Sequence, residues 1–164
     1  GKLGLQVARV GLAFGMKVQA WSANLTPERC AECGVVFASR EELFATSDIV
    51  TVHLLLSDRT RGLIGATEFQ MMKPTAYLVN TSRGPIVQES ALITALQAGA
   101  IAGAGLDVFD TEPLPQNHAL RGLDNAVLTG HTGYVMRENY ITGYRGAVEA
   151  INAWLNGEPV RLLN

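Results

Sequence analysis

Short apolar runs alternate with longer segments of helical periodicity along the 164-residue chain. Runs of about five apolar residues predict strands buried on both faces, and the segments between them repeat apolar residues at helical spacing. The predicted strands cover residues 17–21, 35–37, 49–56, 77–80, 101–107 and 126–129, and the main predicted helices cover residues 4–14, 67–72, 88–98 and 137–155. This alternation predicts an α/β fold of βαβ units around a parallel sheet.

Local sequence signals add detail to three predicted elements. The segment Gly4–Phe14 is apolar on most sides of a helix, which predicts a buried helix that ends at Gly15. Ser39 and Glu42 have the spacing of a capping box and predict the start of a short helix. The almost unbroken apolar run Ile49–Leu56 predicts a central strand deep in the sheet.

Composition and charge restrict the class of protein. With 48% hydrophobic and 17% charged residues, the chain is predicted to form one compact domain over residues 1–164. Its net charge of −2 provides no basic field for a nucleic acid or an anionic membrane surface. The least charged stretch, residues 93–106, is shorter than the roughly 20 apolar residues of a membrane span. No span or signal peptide is predicted, so a cytoplasmic location is expected.

The two cysteines of the chain, Cys30 and Cys33, form one C-x-x-C motif. A structural zinc site needs four ligands, and a thioredoxin-like site needs the motif at a helix start directly after a strand. Neither requirement is met, so no metal site is predicted. Both thiols are expected to be reduced and to pack as small apolar side chains.

A glycine-rich start precedes the first predicted helix. Gly1-Lys2-Leu3-Gly4 runs directly into that helix, and such a turn presents backbone N–H groups and a helix N-terminus to a pyrophosphate. The next strand ends at Ser22, where a dinucleotide-binding fold places the residue that meets the adenosine ribose. The alternative is that these glycines only permit close packing of the helix.

Three longer motifs follow in order: VNTSRGPIV at residues 79–87, GLDVFDTEP at 105–113 and GHTGY at 130–134. Together with the glycine start, they make the chain resemble the coenzyme-binding lobe of the D-isomer-specific 2-hydroxyacid dehydrogenase family. The resemblance implies a Rossmann-type doubly wound parallel sheet, NAD or NADP as coenzyme, and a small 2-oxo acid as substrate. In that family a central strand precedes the position of Gly1 and a substrate lobe lies mostly before it, so we expect this chain to lack its first strand and the substrate lobe.

The resemblance also implies three catalytic residues. Arg83 corresponds to the arginine that holds the substrate carboxylate, His131 to the acid/base, and Glu112 to the acid that orients the histidine. Reduction of a 2-oxo acid adds a hydride to the carbonyl carbon and a proton to its oxygen, so a group that titrates near neutrality is needed there. A carboxylate on the far ring nitrogen fixes the tautomer, and a planar guanidinium suits a carboxylate.

Further coenzyme contacts are implied in the same way. Asp107 corresponds to the acid that accepts a hydrogen bond from the nicotinamide carboxamide. The other candidates, besides Arg83 and His131, lie in loops or strand ends that line the coenzyme in such enzymes: Thr51, His53, Thr81 and Gly133. His53 could equally be a strand-end histidine with a structural hydrogen bond.

Ser22 leaves the choice between NAD and NADP open. Enzymes that prefer NAD usually carry Asp or Glu at this position to bind the ribose hydroxyls, whereas a small neutral residue leaves room for a 2′-phosphate. Asn24 and Arg29 lie close in sequence and could receive that phosphate.

The resemblance implies a homodimer, because relatives commonly pair through this lobe, and the helices that start near Gly4 and Gln88 are candidate surfaces. The alternative function is a dinucleotide-binding module or redox-sensing partner protein without catalytic activity. We expect the 164 residues alone to turn over no substrate, since a sheet without its central strand leaves buried backbone groups unpaired.

Overall fold

Parallel strands and helices alternate along residues 1–162, the part of the chain that the computed structural model describes. The strands are β1 (Gln19–Ala20), β2 (Val36–Phe37), β3 (Ile49–Val52), β4 (Tyr77–Asn80), β5 (Gly103–Leu106) and β6 (Ala126–Leu128). The α-helices are α1 (Lys2–Ala13), α2 (Pro27–Ala31), α3 (Arg40–Thr46), α4 (Ala66–Met71), α5 (Glu89–Gln97) and α6 (Arg137–Leu155). The predicted α/β class is confirmed.

The strands form two parallel sheets. Strand β1 pairs with β2, and β3 to β6 pair in chain order as a four-stranded sheet. Within the larger sheet, the register aligns Val52, Asn80, Leu106 and Leu128 in one row. No strand of residues 1–162 joins β1 to β3.

The main hydrophobic core surrounds the four-stranded sheet. Leu78 on β4 and Ile101 just before β5 are fully buried. The flanking helices contribute Phe44, Phe69 and Leu92 to the same cluster. Burial of each large side chain stabilises the fold by about 1.5–3 kcal/mol. The sheet is therefore a rigid base for the polar residues that follow its strands.

The predicted capping box at Ser39 is confirmed. The Ser39 hydroxyl accepts the Glu42 N–H at 3.1 Å, and the Glu42 carboxylate accepts the Ser39 N–H at 2.8 Å. These hydrogen bonds lower the pKa of Glu42. Because the box satisfies two N–H groups that would have no partner inside the helix, it defines where α3 begins.

Helix α1 is not buried, so that prediction is wrong. No residue of α1 is buried, and Leu3 is 75% exposed. The helix also begins at Lys2, so most of the glycine-rich start is helical. Three residues of α1 approach neighbouring segments: Gly4 lies against His53, Gly11 against Val18, and Leu12 against Gly34. The apolar side chains of the helix therefore remain largely at the surface.

Strand β3 also differs from its prediction. It covers Ile49–Val52 rather than the whole run to Leu56, and it is an edge strand of the four-stranded sheet. Burial alternates along it, with Val50 and Val52 inside and Ile49 and Thr51 exposed. The prediction of a deep central strand was wrong because Ile49 and Leu55 are apolar although exposed, and apolar content does not show which strand lies at the edge of a sheet.

The chain divides into two compact units: the first covers Gly1–Gly130, and the second begins at His131. Its helix α6 spans the predicted residues 137–155. Arg161 donates hydrogen bonds to the Gly146 carbonyl at 3.1 Å and to the Glu149 carboxylate at 2.6 Å. Across the described part of the chain, no helix combines the length and apolar character needed to cross a bilayer.

Candidate active site

The carboxyl ends of the parallel strands bring several predicted site residues to one edge of the sheet. Thr51 lies in β3, Thr81 follows β4, and Asp107 follows β5. Because Val52, Asn80 and Leu106 share one row of the register, the residues near them lie at the same level. Ligands of open parallel sheets bind beyond this edge.

The N-terminus of α1 reaches the same region through His53. A Cβ atom on Gly4 would lie 3.4 Å from the Cβ of His53, so glycine permits this close approach. The Thr51 hydroxyl and His53 Nε2 are 3.0 Å apart. Burial lowers the pKa of His53, which favours the neutral imidazole at neutral pH.

The start of α1 suits an anionic group. Its N-cap residue is Gly1, which has no side chain to accept the first N–H groups, and its first turn carries no acidic residue. Uncapped N–H groups and the positive end of the helix dipole together favour a phosphate. The residues present therefore fit the pyrophosphate of a dinucleotide.

Asn80 shapes the loop that carries Arg83. Its side chain is buried, its Oδ1 accepts the Ser82 N–H at 3.0 Å, and its Nδ2 donates to the Arg83 carbonyl at 3.0 Å. The Ser82 hydroxyl donates to the Leu54 carbonyl and ties this loop to the segment after β3. The sequence motifs assign Asn80 no role, although a polar residue at the end of an apolar strand is a usable signal.

The Arg83 loop and the Glu112 loop are in direct backbone contact. A Cβ atom on Gly84 would lie 2.1 Å from the carbonyl carbon of Phe109, so only glycine fits here. The Phe109 N–H donates to Glu112 Oε1 at 2.9 Å, which holds one side of that carboxylate. The structure thus brings together the loops of two predicted catalytic residues.

His118, to which the sequence patterns assign no role, contacts helix α5. His118 Nε2 lies 3.0 Å from Glu89 Oε1 on α5. Its Nδ1 accepts the Leu120 N–H at 3.3 Å, so a neutral ring carries its proton on Nε2 and donates it to Glu89. Burial, together with the Glu89 carboxylate, raises the pKa of the neighbouring Asp110.

Ser22 follows β1 and is partly buried. Its carbonyl accepts the Leu25 N–H at 3.1 Å and closes a turn. Arg29, one of the candidates for a 2′-phosphate, donates to the Glu32 carboxylate at 2.6 Å on an exposed surface. Because an exposed ion pair is weak, this contact leaves Arg29 able to change partners.

His131 belongs to the second unit, where it has an uncommon backbone conformation. Its φ angle is +57°, in the left-handed region that few residues other than glycine adopt. Its ring packs edge-on against Tyr134, with ring centroids 5.9 Å apart. Gly133 lies in the same turn and is exposed. The pairing of His131 with Glu112 stays a prediction.

The cysteines lie apart from this edge. Cys30 on α2 is buried, Cys33 is partly buried, and both are free thiols. Burial raises the pKa of Cys30, which makes its thiolate less available. Within residues 1–162, no three His, Cys, Asp or Glu side chains are grouped as metal ligands.

The parallel sheet, the uncapped start of α1 and the polar strand ends define a dinucleotide-binding α/β protein. Residues 1–133 match the family model described as "D-isomer specific 2-hydroxyacid dehydrogenase, NAD binding domain". The chain therefore belongs to the D-isomer-specific 2-hydroxyacid dehydrogenase family, as the motifs predicted.

Individual relatives agree with this assignment. The chain is 44% identical to a glyoxylate reductase of Aeropyrum pernix, and the alignment covers all of this chain and 49% of that protein. It superposes with a TM-score of 0.95 on a putative D-3-phosphoglycerate dehydrogenase of Ralstonia solanacearum, which is 42% identical, covering all of this chain and 48% of the other.

An NAD-complexed family member from Lactobacillus delbrueckii ssp. bulgaricus is 29% identical, with a TM-score of 0.83, over all of this chain and 53% of that protein. The chain thus spans about half the length of the relatives it matches.

Gly84→Ala should destabilise the first unit by about 3 kcal/mol, because the new methyl group would overlap the Phe109 backbone, which cannot rotate away. Urea unfolding followed by circular dichroism measures the loss. Gly122→Ala is the matched control, since a Cβ there would meet nothing within 4 Å, and it should change stability by less than about 0.5 kcal/mol. Equal effects of the two substitutions would contradict the contact.

Proposed function

We propose that the chain acts as one coenzyme-binding domain of an oxidoreductase that interconverts a small 2-oxo acid and a D-2-hydroxy acid. The observation that carries this proposal is the backbone contact between the Arg83 and Glu112 loops, through Gly84 and Phe109. When bound, a nicotinamide coenzyme supplies or accepts the hydride. Membership of the dehydrogenase family supports the same reaction class.

The residues around α1 hold the coenzyme in this proposal. Gly1 to Gly4 present N–H groups to the pyrophosphate, with Lys2 in the first turn. A neutral His53 and the hydroxyls of Thr51 and Thr81 line the strand ends as uncharged hydrogen-bonding groups. Asp107 accepts a hydrogen bond from the nicotinamide carboxamide.

Three side chains act on the substrate. Arg83 holds the substrate carboxylate with its planar guanidinium and polarises the neighbouring carbonyl. His131 donates a proton to the carbonyl oxygen during reduction and removes it during oxidation. Glu112 orients the imidazole and favours its charged form, and its own carboxylate is already held by the Phe109 N–H.

The coenzyme choice follows from Ser22. A serine leaves space for a 2′-phosphate, and the exposed Arg29 lies on the helix that follows the turn after Ser22. We therefore propose that the domain accepts NADPH as well as NADH.

We also propose that the protein forms a homodimer and is located in the cytoplasm. The exposed side of α1 supports this proposal, because Leu3, Val10 and the C-cap residue Phe14 are 57–82% exposed. Helix α5 is a weaker candidate, since Leu92 and Leu96 are already buried in the core.

The first test of this function uses protein expressed from the complete reading frame, with glyoxylate as the 2-oxo acid. NADH or NADPH oxidation should be catalysed, and His131→Asn should lower kcat by about 10³ because the proton donor is lost. The dissociation constant of the reduced coenzyme should change by less than about threefold. Stopped-flow absorbance at the nicotinamide band gives the rate, and fluorescence titration gives the binding.

Two results would count against the assigned roles. A normal rate in His131→Asn would show that another group transfers the proton. Tight coenzyme binding with no turnover of any 2-oxo acid would instead favour the alternative of a binding module without catalytic activity.

Ser22→Asp should shift the coenzyme preference toward NADH. The new carboxylate would bind the ribose hydroxyls and repel a 2′-phosphate, so the affinity for NADPH should fall by about tenfold relative to NADH. Ser90→Asp, which adds the same charge at an exposed position of α5, should leave the ratio unchanged. An unchanged ratio in Ser22→Asp would place the adenosine ribose elsewhere.

A further inference from the structure

The carboxylate of Asp107 is buried and held by a neighbouring hydroxyl. Asp107 follows β5 and is 6% exposed, and Thr129 follows β6. The Thr129 hydroxyl donates to Asp107 Oδ1 at 2.5 Å. The Thr129 N–H donates to the Leu106 carbonyl at 2.9 Å, which extends the pairing of the two strands by one residue and sets the hydroxyl beside the carboxylate.

The backbone of Asp107 is fixed from the other side as well. Its N–H donates to the Asn80 carbonyl at 3.0 Å, so the residue is tied to both β4 and β6. A buried carboxylate is costly unless its oxygens are hydrogen-bonded, and a hydrogen bond to a charged group is stronger than one between neutral groups. The Thr129 hydroxyl therefore stabilises a buried carboxylate and restricts its rotamer.

We propose that Thr129 is a positioning residue for coenzyme binding: its hydroxyl fixes the rotamer of Asp107 so that the carboxylate faces the nicotinamide carboxamide. The proposal rests on the proposed function, in which Asp107 accepts a hydrogen bond from that amide. In this role Thr129 acts only through Asp107, and it takes no part in proton transfer. An acid held in its bound rotamer binds more tightly, because less side-chain freedom is lost on binding.

A merely structural role for Thr129 predicts a different result. If the hydroxyl only stabilised the sheet edge, its loss would weaken all coenzyme fragments equally. If it positions Asp107, its loss weakens only ligands that contain the nicotinamide. ADP-ribose, or its 2′-phosphate for an NADPH-dependent protein, lacks that ring and separates the two cases.

The experiment titrates the full-length protein with its preferred reduced coenzyme and with the matching nicotinamide-free fragment, by isothermal calorimetry. Thr129→Val keeps the shape of the side chain and removes the donor, so coenzyme affinity should fall by about tenfold while fragment affinity stays within about twofold. Thr129→Ser restores the donor and should bring coenzyme affinity back to within about threefold of the wild type.

Thr94→Val is the matched control, because the Thr94 hydroxyl donates to the Ser90 carbonyl within α5 and lies away from the sheet edge. It should leave both affinities unchanged. Equal weakening of coenzyme and fragment by Thr129→Val, or no weakening of either, overturns the proposal. If Thr129→Val does not fold, Thr129→Ser decides the question. A tenfold loss of coenzyme affinity in Thr129→Ser overturns the proposal, and wild-type affinity in that variant supports it.

The same titrations distinguish this inference from the proposed function. Wild-type protein that binds neither NADH nor NADPH contradicts the proposed function itself. If wild-type protein binds one of them and Thr129→Val binds it with unchanged affinity, only the positioning role is contradicted.

Discussion

Parallel pairing in one register is the constraint on which the first unit depends. The row that runs from Val52 through Asn80 and Leu106 to Leu128 ends all four strands at the same level. Residues far apart in the chain therefore meet beyond the carboxyl ends of the strands. Hydrogen bonding between the strands stops there, and side chains form hydrogen bonds with the remaining backbone groups. A slip of one residue in any strand would turn its side chains to the opposite face and separate these groups.

Backbone contact joins the two loops that carry the proposed catalytic residues Arg83 and Glu112. Gly84 lets the Arg83 loop lie directly on Phe109, and the Phe109 N–H holds Glu112. The Asn80 side chain fixes the Arg83 loop with two hydrogen bonds. Because backbone and buried amide groups have little freedom, the positions of the two loops are set before any ligand arrives, which lowers the entropic cost of binding.

Sequence patterns predicted the elements better than their burial. The capping box at Ser39 and the bounds of α6 were confirmed, since both depend on residues a few positions apart. The burial of α1 was predicted wrongly, because apolar periodicity does not show whether another element covers a helix, and Leu3, Val7 and Val10 are exposed. The roles of Asn80 and His118 were missed, since a single polar residue has no periodic pattern to reveal its partners.

The sequence by itself determined the α/β class, the order of strands and helices, and the family, because these follow from local periodicity and from contiguous motifs such as VNTSRGPIV. Only the tertiary structure decided which loops touch, which carboxylates are buried and what holds them. The pair Thr129 and Asp107 shows the reason: the residues are 22 positions apart, and only the alignment of β5 with β6 places the hydroxyl on the carboxylate.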